Sequence, residues 1–195
     1  MEEGQLSKKD IREGVSKKLR QMSPEELALK YKKIEAQLFE FANFLESRIV
    51  LLYIEKPGEA KGRDIVNRAY QYNKIVVLPA FDTTTHGMRL LKVDDPKKDL
   101  RKGPRGILEP DPKKCNEVPI ECIDIAVIPG IAFDEKGGRV GSGEGYYDRL
   151  IPNLSITTRK VALSLEDQLV PLVPMESHDR YVDIIISEDR VIYKI

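Results

Sequence analysis

The sequence predicts a single α/β domain spanning residues 1–195, with a mostly parallel sheet flanked by helices. Three observations lead there. Continuous apolar runs at 48–54, 74–78 and 124–129 mark strands covered on both faces. The stretch between the first two runs has helical spacing, and strand, helix, strand in that order implies a right-handed parallel crossover. No internal repeat, low-complexity tract or interdomain linker interrupts the 195 residues, a length typical of one domain.

In chain order, residues 8–47 are predicted to be helical. Ile11, Val15 and Leu19 recur every fourth residue as one apolar stripe. Ser23-Pro24-Glu25-Glu26 reads as a second helix start, with Ser23 as N-cap, Pro24 in the first turn and Glu26 closing a capping box. Leu27, Tyr31, Ile34, Leu38, Phe41 and Leu45 are expected to continue that helix's buried face. After the first strand, a loop at Pro57-Gly58 leads into a short helix ending near Tyr72. The strand at 74–78 is expected to stop at Pro79, which has no N–H to give a ladder. Residues 88–93 fit a strand, while 94–119, rich in Pro, Lys and Asp, read mostly as a long loop of the kind that wraps a site. The strand at 124–129 feeds a glycine loop, and a helix from Tyr146 to Ile151 follows, stopped near Pro152. Strands at 160–165 and 182–187, with a short one at 190–195, complete the sheet.

Bulk composition narrows the function. Lysine plus arginine equals aspartate plus glutamate at 32 each, so a general nucleic-acid binder, which carries a basic excess, is not expected. Any anion binding must come from a local site. Cys115 and Cys122, with two histidines in the whole chain, match no zinc arrangement and read as reduced thiols. No apolar stretch is long enough to span a bilayer, and the charged N-terminus lacks a signal segment. A cytoplasmic protein acting on small molecules, with no membrane or nucleic-acid partner, is the expectation.

The segment richest in chemistry is Arg-Val-Gly-Ser-Gly-Glu-Gly-Tyr-Tyr-Asp, residues 139–148. Glycines let backbone N–H groups approach a ligand without a Cβ in the way, and successive N–H groups form a concave anion site. Arg139 adds a fixed positive charge, and Asp148 a hard oxygen of the kind Mg²⁺ takes. The loop is neither a Walker A sequence nor a dinucleotide fingerprint, so the glycines alone leave a plain strand-to-helix turn equally open. Glu144 between two glycines would repel a polyphosphate, so it points outward or engages a metal or a basic partner. Lys8 and Arg12, four apart, share one helical face, which by itself also describes a solvated charged face. Asp179 is a candidate to join Asp148 on a metal, although singly each fits a turn or cap. Glu55 and Glu59, at the end of the first strand, are candidates to meet a basic group, or are solvated loop carboxylates. Tyr146 and Tyr147 face different directions, so a ring-stacking role suits at most one of them.

Several pieces then coincide in order: Lys8-x-x-x-Arg12, the strand ending near Glu59, Ile128-Pro129-Gly130-Ile131-Ala132-Phe133-Asp134, Arg139 through Asp148, and Asp179-Arg180-Tyr181-Val182-Asp183. Together they resemble the 5-formyltetrahydrofolate cyclo-ligase family over nearly the whole chain. The resemblance implies a fold similar to sugar-phosphate isomerases and CoA transferases, and an ATP- and Mg²⁺-dependent ring closure of 5-formyltetrahydrofolate to 5,10-methenyltetrahydrofolate by a monomer. It implies that Lys8 and Arg12 hold ATP phosphates, with Arg139, Val140, Gly141, Ser142, Gly143, Glu144, Gly145, Tyr146 and Tyr147 as the nucleotide loop. Within that loop Arg139 and Tyr147 are the implied catalytic residues, and residues 142–146 also border the folate. Ile54 and Glu59 are implied folate contacts, and Asp148 and Asp179 the Mg²⁺ carboxylates. Ser142, Glu144 and Ala60-Lys61-Gly62 depart from what relatives commonly carry. A relative acting on another formyl or amide acceptor, or a non-catalytic nucleotide-binding module, are the alternatives.

Overall fold

The computed structural model describes residues 6–194. Ser7 caps α1 (Lys8–Arg20): its hydroxyl accepts from the Asp10 N–H, and the Asp10 carboxylate accepts from the Ser7 N–H. Ser23 caps α2 (Pro24–Glu40) by accepting from the Glu26 N–H. The reciprocal half of the box expected there is not formed among the described residues; it is α1 that carries the full motif. α2 also ends earlier than its periodicity implies, because Phe41 turns to extended backbone at φ −70°, ψ 120°. The short α3 (Ala42–Glu46) then points Phe44 into the core and leaves Leu45 47% exposed, so Leu45 does not extend the buried face.

The remaining elements are β1 (Ile49–Leu51), α4 (Arg63–Ala69), β2 (Ile75–Asp82), β3 (Gly87–Val93), α5 (Pro96–Asp99), β4 (Leu100–Lys102) and β5 (Leu108–Pro110), then β6 (Ile125–Val127), β7 (Ala132–Phe133), β8 (Arg139–Val140), α6 (Tyr146–Leu150), β9 (Arg159–Leu163), β10 (Ile184–Ile186) and β11 (Val191–Tyr193). Ile195, the last residue of the terminal strand expected at 190–195, lies outside the described residues. Seven strands form one sheet in the order β11-β10-β9-β6-β1-β2-β3. The five inner strands are mutually parallel, and β11 and β3 close the edges antiparallel. Alternate side chains feed two cores. Val50, Val76, Ile125 and Val161 pack with Ile34, Leu38 and Ile65 from α2 and α4, whereas Leu51, Val77, Ala126 and Ala162 pack with Tyr146, Tyr147 and Leu150 of α6. No helix among the described residues is long and apolar enough to cross a membrane.

Two expectations need correction and a third needs refinement. β2 does not stop at Pro79 but runs to Asp82. The Val77 carbonyl accepts from Leu52 N–H, so Val77, Pro79 and Phe81 turn their main-chain polar groups toward β1. β1 has ended before Pro79 is reached, so no ladder bond needs the missing N–H there. Residues 94–119 are mostly turn and loop, as expected, but not wholly: they also hold α5 and a β4–β5 hairpin whose tip, Gly103 to Ile107, is closed by a Gly103 N–H to Ile107 carbonyl bond. Charged side chains on short, half-exposed strands give no alternating apolar signal. The glycine loop does not follow β6 directly either. A β7–β8 hairpin intervenes, clasped by the buried Asp134, whose carboxylate accepts from the N–H groups of Lys136, Gly138 and Val173.

At the start of β2, the buried Lys74 ammonium donates to the carbonyls of Phe44, Leu45 and Ser47 and so ties α3 to the sheet. Lys74→Met is expected to lower the unfolding free energy by about 1–3 kcal/mol, since it strands buried carbonyls. Urea denaturation with an unchanged midpoint would contradict that account.

Candidate active site

At the carboxyl ends of β1, β2 and β6, where open α/β sheets place their ligands, lies a cleft of ≈ 950 Å³ including its open mouth. α1 supplies Lys8 and Arg12, the β1–α4 connection Ile54, Lys56 and Glu59, and the β4–β5 tip Arg105 and Ile107. The glycine loop, α6 and Asp179 close the remaining side. Segments far apart in sequence therefore meet at one strand end.

The glycine loop is shaped around Arg139, whose side chain is 4% exposed. Its Nη1 donates to the Pro129 carbonyl at 3.1 Å and its Nη2 to Asp148 Oδ1 at 2.8 Å. A Cβ on Gly130 would lie 2.5 Å from the Phe133 ring, and one on Gly141 would lie 2.7 Å from Arg139 Nη1, so a side chain at either position would displace the ring or the guanidinium. Gly143 and Gly145 have φ of +101° and +70°, left-handed values that side chains resist. Among the described residues the N–H groups of Ser142, Gly143, Glu144 and Gly145 donate no hydrogen bond. Arg12 Nε reaches across from α1 to the Gly141 carbonyl at 2.9 Å. Unpaired N–H groups flanked by two guanidinium groups suit an anion.

Four carboxylates face this positive wall. Glu59 is 8% exposed; one of its oxygens accepts from the Lys56 N–H at 2.8 Å. Burial raises its pKa, against the opposing pull of Lys56, Arg105 and Arg139. Tyr147 lies beside it, and burial chiefly, with the Glu59 charge, raises the phenol's pKa. Glu144 accepts from both Lys56 and Arg105. Partial burial works against its ionised form, but those two cations outweigh it and hold the pKa at about 2. Asp179 accepts from Lys8 and from the Glu176 N–H, which overcome its own partial burial and lower its pKa. Asp148 Oδ1 takes both Arg139 and the Arg180 N–H, leaving Oδ2 without a partner among the described residues. Asp179 Oδ1 has no closer neighbour of this kind than His178 Nε2 at 3.6 Å. Each aspartate thus keeps a carboxylate oxygen available, the hard donor set that suits Mg²⁺ completed by substrate phosphates. The compact acid–imidazole group is Glu176, His178 and Asp179, and Asp148 stands outside it.

Of the residues expected from sequence, Lys8, Arg12, Ile54, Glu59, Arg139, Gly141 through Asp148, and Asp179 all line this cleft. Val140 does not. Its side chain packs with Ile11, Val15, Ala132 and Val173, so only its main chain is available to a ligand. Glu55 is also turned away: it accepts from the N–H groups of Gly62 and Arg63 at the start of α4. Ala60 and Gly62 have packing reasons, since Ala60 is buried and a Cβ on Gly62 would lie 2.2 Å from the Tyr53 carbonyl oxygen. Both tyrosines are buried, and Tyr146 meets Phe81 edge-on at 4.9 Å. Sequence reasoning missed Lys56 and Arg105. Arg105 sits at the Pro-Arg-Gly tip of the hairpin, with its guanidinium 4.0 Å over the Phe81 ring and 4.9 Å over Tyr146.

Comparisons with known proteins agree with one another. The sequence model of the 5-formyltetrahydrofolate cyclo-ligase family matches residues 5–188. A Caenorhabditis elegans protein named as a probable 5-formyltetrahydrofolate cyclo-ligase is 27% identical, covering 95% of this chain and 94% of its own. A Schizosaccharomyces pombe protein of the same description is 30% identical over 82% of this chain and 84% of its own. The NMR structure of Aquifex aeolicus 5,10-methenyltetrahydrofolate synthetase superposes with a TM-score of 0.83 at 29% identity, covering 96% of this chain and 92% of its own.

The buried Glu59 carboxylate opposes folding above its unfolded pKa, because a raised native pKa makes ionisation costlier in the folded state than in the unfolded one. Glu59→Gln should therefore raise Tm at pH 7, by roughly 2–4 °C if about 1 kcal/mol is relieved, and give no gain at pH 3. A variant less stable than wild type at pH 7 would contradict this.

Proposed function

The chain belongs to the 5-formyltetrahydrofolate cyclo-ligase family, and on that premise we propose that it converts 5-formyltetrahydrofolate to 5,10-methenyltetrahydrofolate at the expense of ATP. The observation that carries the reading to this cleft is the meeting of Arg139, Arg12 and unpaired loop N–H groups with a buried carboxylate, Glu59, across one strand end. The first half suits a triphosphate, and the second suits the N–H donors of a pterin ring.

The chemistry has a simple requirement. The formyl oxygen on N5 is a poor leaving group. Attack of that oxygen on the γ-phosphorus, with departure of ADP, turns it into a good one. N10 then adds to the formyl carbon, the carbon–oxygen bond breaks, phosphate leaves with the oxygen, and the N10 proton is lost to give the methenyl bridge. Such a reaction asks the protein mainly for positioning and charge neutralisation. Arg139 is rigidly held and carries its charge into the region where phosphoryl charge develops, while Lys8 and Arg12 reach the phosphates from α1. Glu59 accepts from the pterin, and Ile54 and Tyr146 border the ring. Tyr147, kept protonated by burial beside Glu59, is a hydrogen-bond donor on the cleft floor. Asp148 and Asp179 would hold Mg²⁺, which supplies further charge neutralisation to the phosphates. The reading also has the chain acting as a cytoplasmic monomer on free folate and nucleotide.

The test is the appearance of methenyl product, by its absorbance, together with ADP. Wild type is expected to form the two in equal amounts. ADP without methenyl product would reassign the acceptor, and neither product would remove the enzyme reading. Arg139→Ala should lower kcat/KM by about 10²–10³, the scale of deleting one transition-state donor. Asp148→Asn should raise the Mg²⁺ concentration needed for half-maximal rate. Unaltered kinetics in Arg139→Ala would show the loop to be a turn and no more.

A further inference from the structure

Glu144 is the one acid between Arg139 and Tyr147, and the side chains it meets are donors. Arg105 approaches its carboxylate with two nitrogens, Nε at 3.3 Å from Oε1 and Nη2 on Oε2, the fork geometry of guanidinium on carboxylate. Lys56 donates to Oε2 from the β1–α4 connection, and the Ser142 hydroxyl adds a bond at 3.2 Å. Building on the cyclo-ligase reading, we infer that Lys56 and Arg105 form an anion subsite. Its resting occupant is the Glu144 carboxylate, which gives way to an anionic oxygen of the substrate, a carboxylate or a phosphoryl group.

Three features support an exchange rather than a fixed structural pair. Arg105 is held in place without Glu144. The Arg105 side chain is 6% exposed and its guanidinium lies over both the Phe81 and Tyr146 rings, so it stays aimed into the cleft when the carboxylate leaves. Glu144 is the most solvent-accessible of the three partners. Its side chain is 37% exposed, and it stands between Gly143 and Gly145, both at positive φ. Charge is unbalanced by one: Lys8, Arg12, Lys56, Arg105 and Arg139 line the cleft against Glu59, Glu144, Asp148 and Asp179, and at Glu144 two cations meet one carboxylate. An incoming anion with more charge or better geometry than one partly exposed carboxylate therefore has the advantage. The arrangement also lowers the repulsion that an unpaired loop carboxylate would exert on an approaching substrate.

Glu144→Gln keeps the shape of the side chain and removes the competing charge. Equilibrium binding should be measured with three probes: a non-hydrolysable Mg·ATP analogue, 5-formyltetrahydrofolate, and 5-formyltetrahydropteroate, which lacks the glutamate. The variant should bind one class of probe about two- to fivefold more tightly, the scale of a partly exposed ion pair. A gain with the nucleotide assigns the subsite to a phosphoryl oxygen. A gain with the folate that vanishes with the pteroate assigns it to the tail carboxylate. Lys56→Met in the same background should cancel the gain, and Lys56→Met alone should weaken that probe. Wild-type or weaker affinity for all three probes in Glu144→Gln, with unchanged Tm, overturns the subsite. If Glu144→Gln fails to fold, unaltered affinities in Lys56→Met overturn it. Failure of wild type to bind any probe would instead overturn the cyclo-ligase reading.

Discussion

The ion pair between the buried Arg139 and the half-buried Asp148 is the constraint on which the rest of the site depends. A guanidinium with 4% side-chain exposure must be compensated, and here one carboxylate and the Pro129 carbonyl take its two Nη groups, while Nε has no partner among the described residues. Deleting one partner of such a pair typically costs about 3–5 kcal/mol, because the other charge is left buried alone. The glycines at 130 and 141 sit where any side chain would collide with Arg139 or with the Phe133 ring. Part of the glycine pattern therefore makes room for the arginine rather than for a ligand. Asp148 passes the constraint on by accepting from Arg180 N–H, which brings Asp179 and its partner Lys8 to the same strand end. The β7–β8 hairpin, the glycine loop, α6 and α1 are thus positioned through one chain of charge-assisted contacts.

A chain with no net charge reaches an anion-binding cleft by where its charges are placed. Many of the charged residues pair with one another on the surface, as Arg89 does with Glu117 and Arg190 with Glu135 and Glu166. In the cleft five cations from α1, the β1–α4 connection, the β4–β5 tip and β8 converge against four carboxylates. Burial of Glu59 places one negative group opposite them, at a cost to the fold that a substrate donor would relieve. The site's electrostatics follow from where the sheet brings its loops, and composition carries no trace of them.

The parallel sheet was legible because strands buried on both faces read as unbroken apolar runs, as Val76 to Leu78 and Ile125 to Ile128 do. Helix starts were legible where the capping chemistry is local, as at Ser23. What escaped depended on tertiary pairing. Pro79 looked like a strand end until the short length of β1 removed any need for its N–H. The β4–β5 hairpin is short, charged and half-exposed, and it hid Arg105 with it. At the site, residues bound by one compact motif, Arg139 to Asp148, could be gathered from sequence. Lys8, Arg12, Glu59 and Asp179 were reached through the family resemblance, since their spacing admits ordinary surface readings. Lys56 carried no local signal, because its meaning comes from an acid 88 residues away.

The central claim is that the glycine-loop amides, with Arg139 and Arg12, embrace the phosphates of a nucleotide. Titration calorimetry of Mg·ADP on the folded chain tests it most directly. Saturable one-to-one binding that weakens by at least tenfold in Arg12→Ala, with folding intact, is the predicted result. No heat of association at millimolar nucleotide, or equal affinity in wild type and variant, would contradict it.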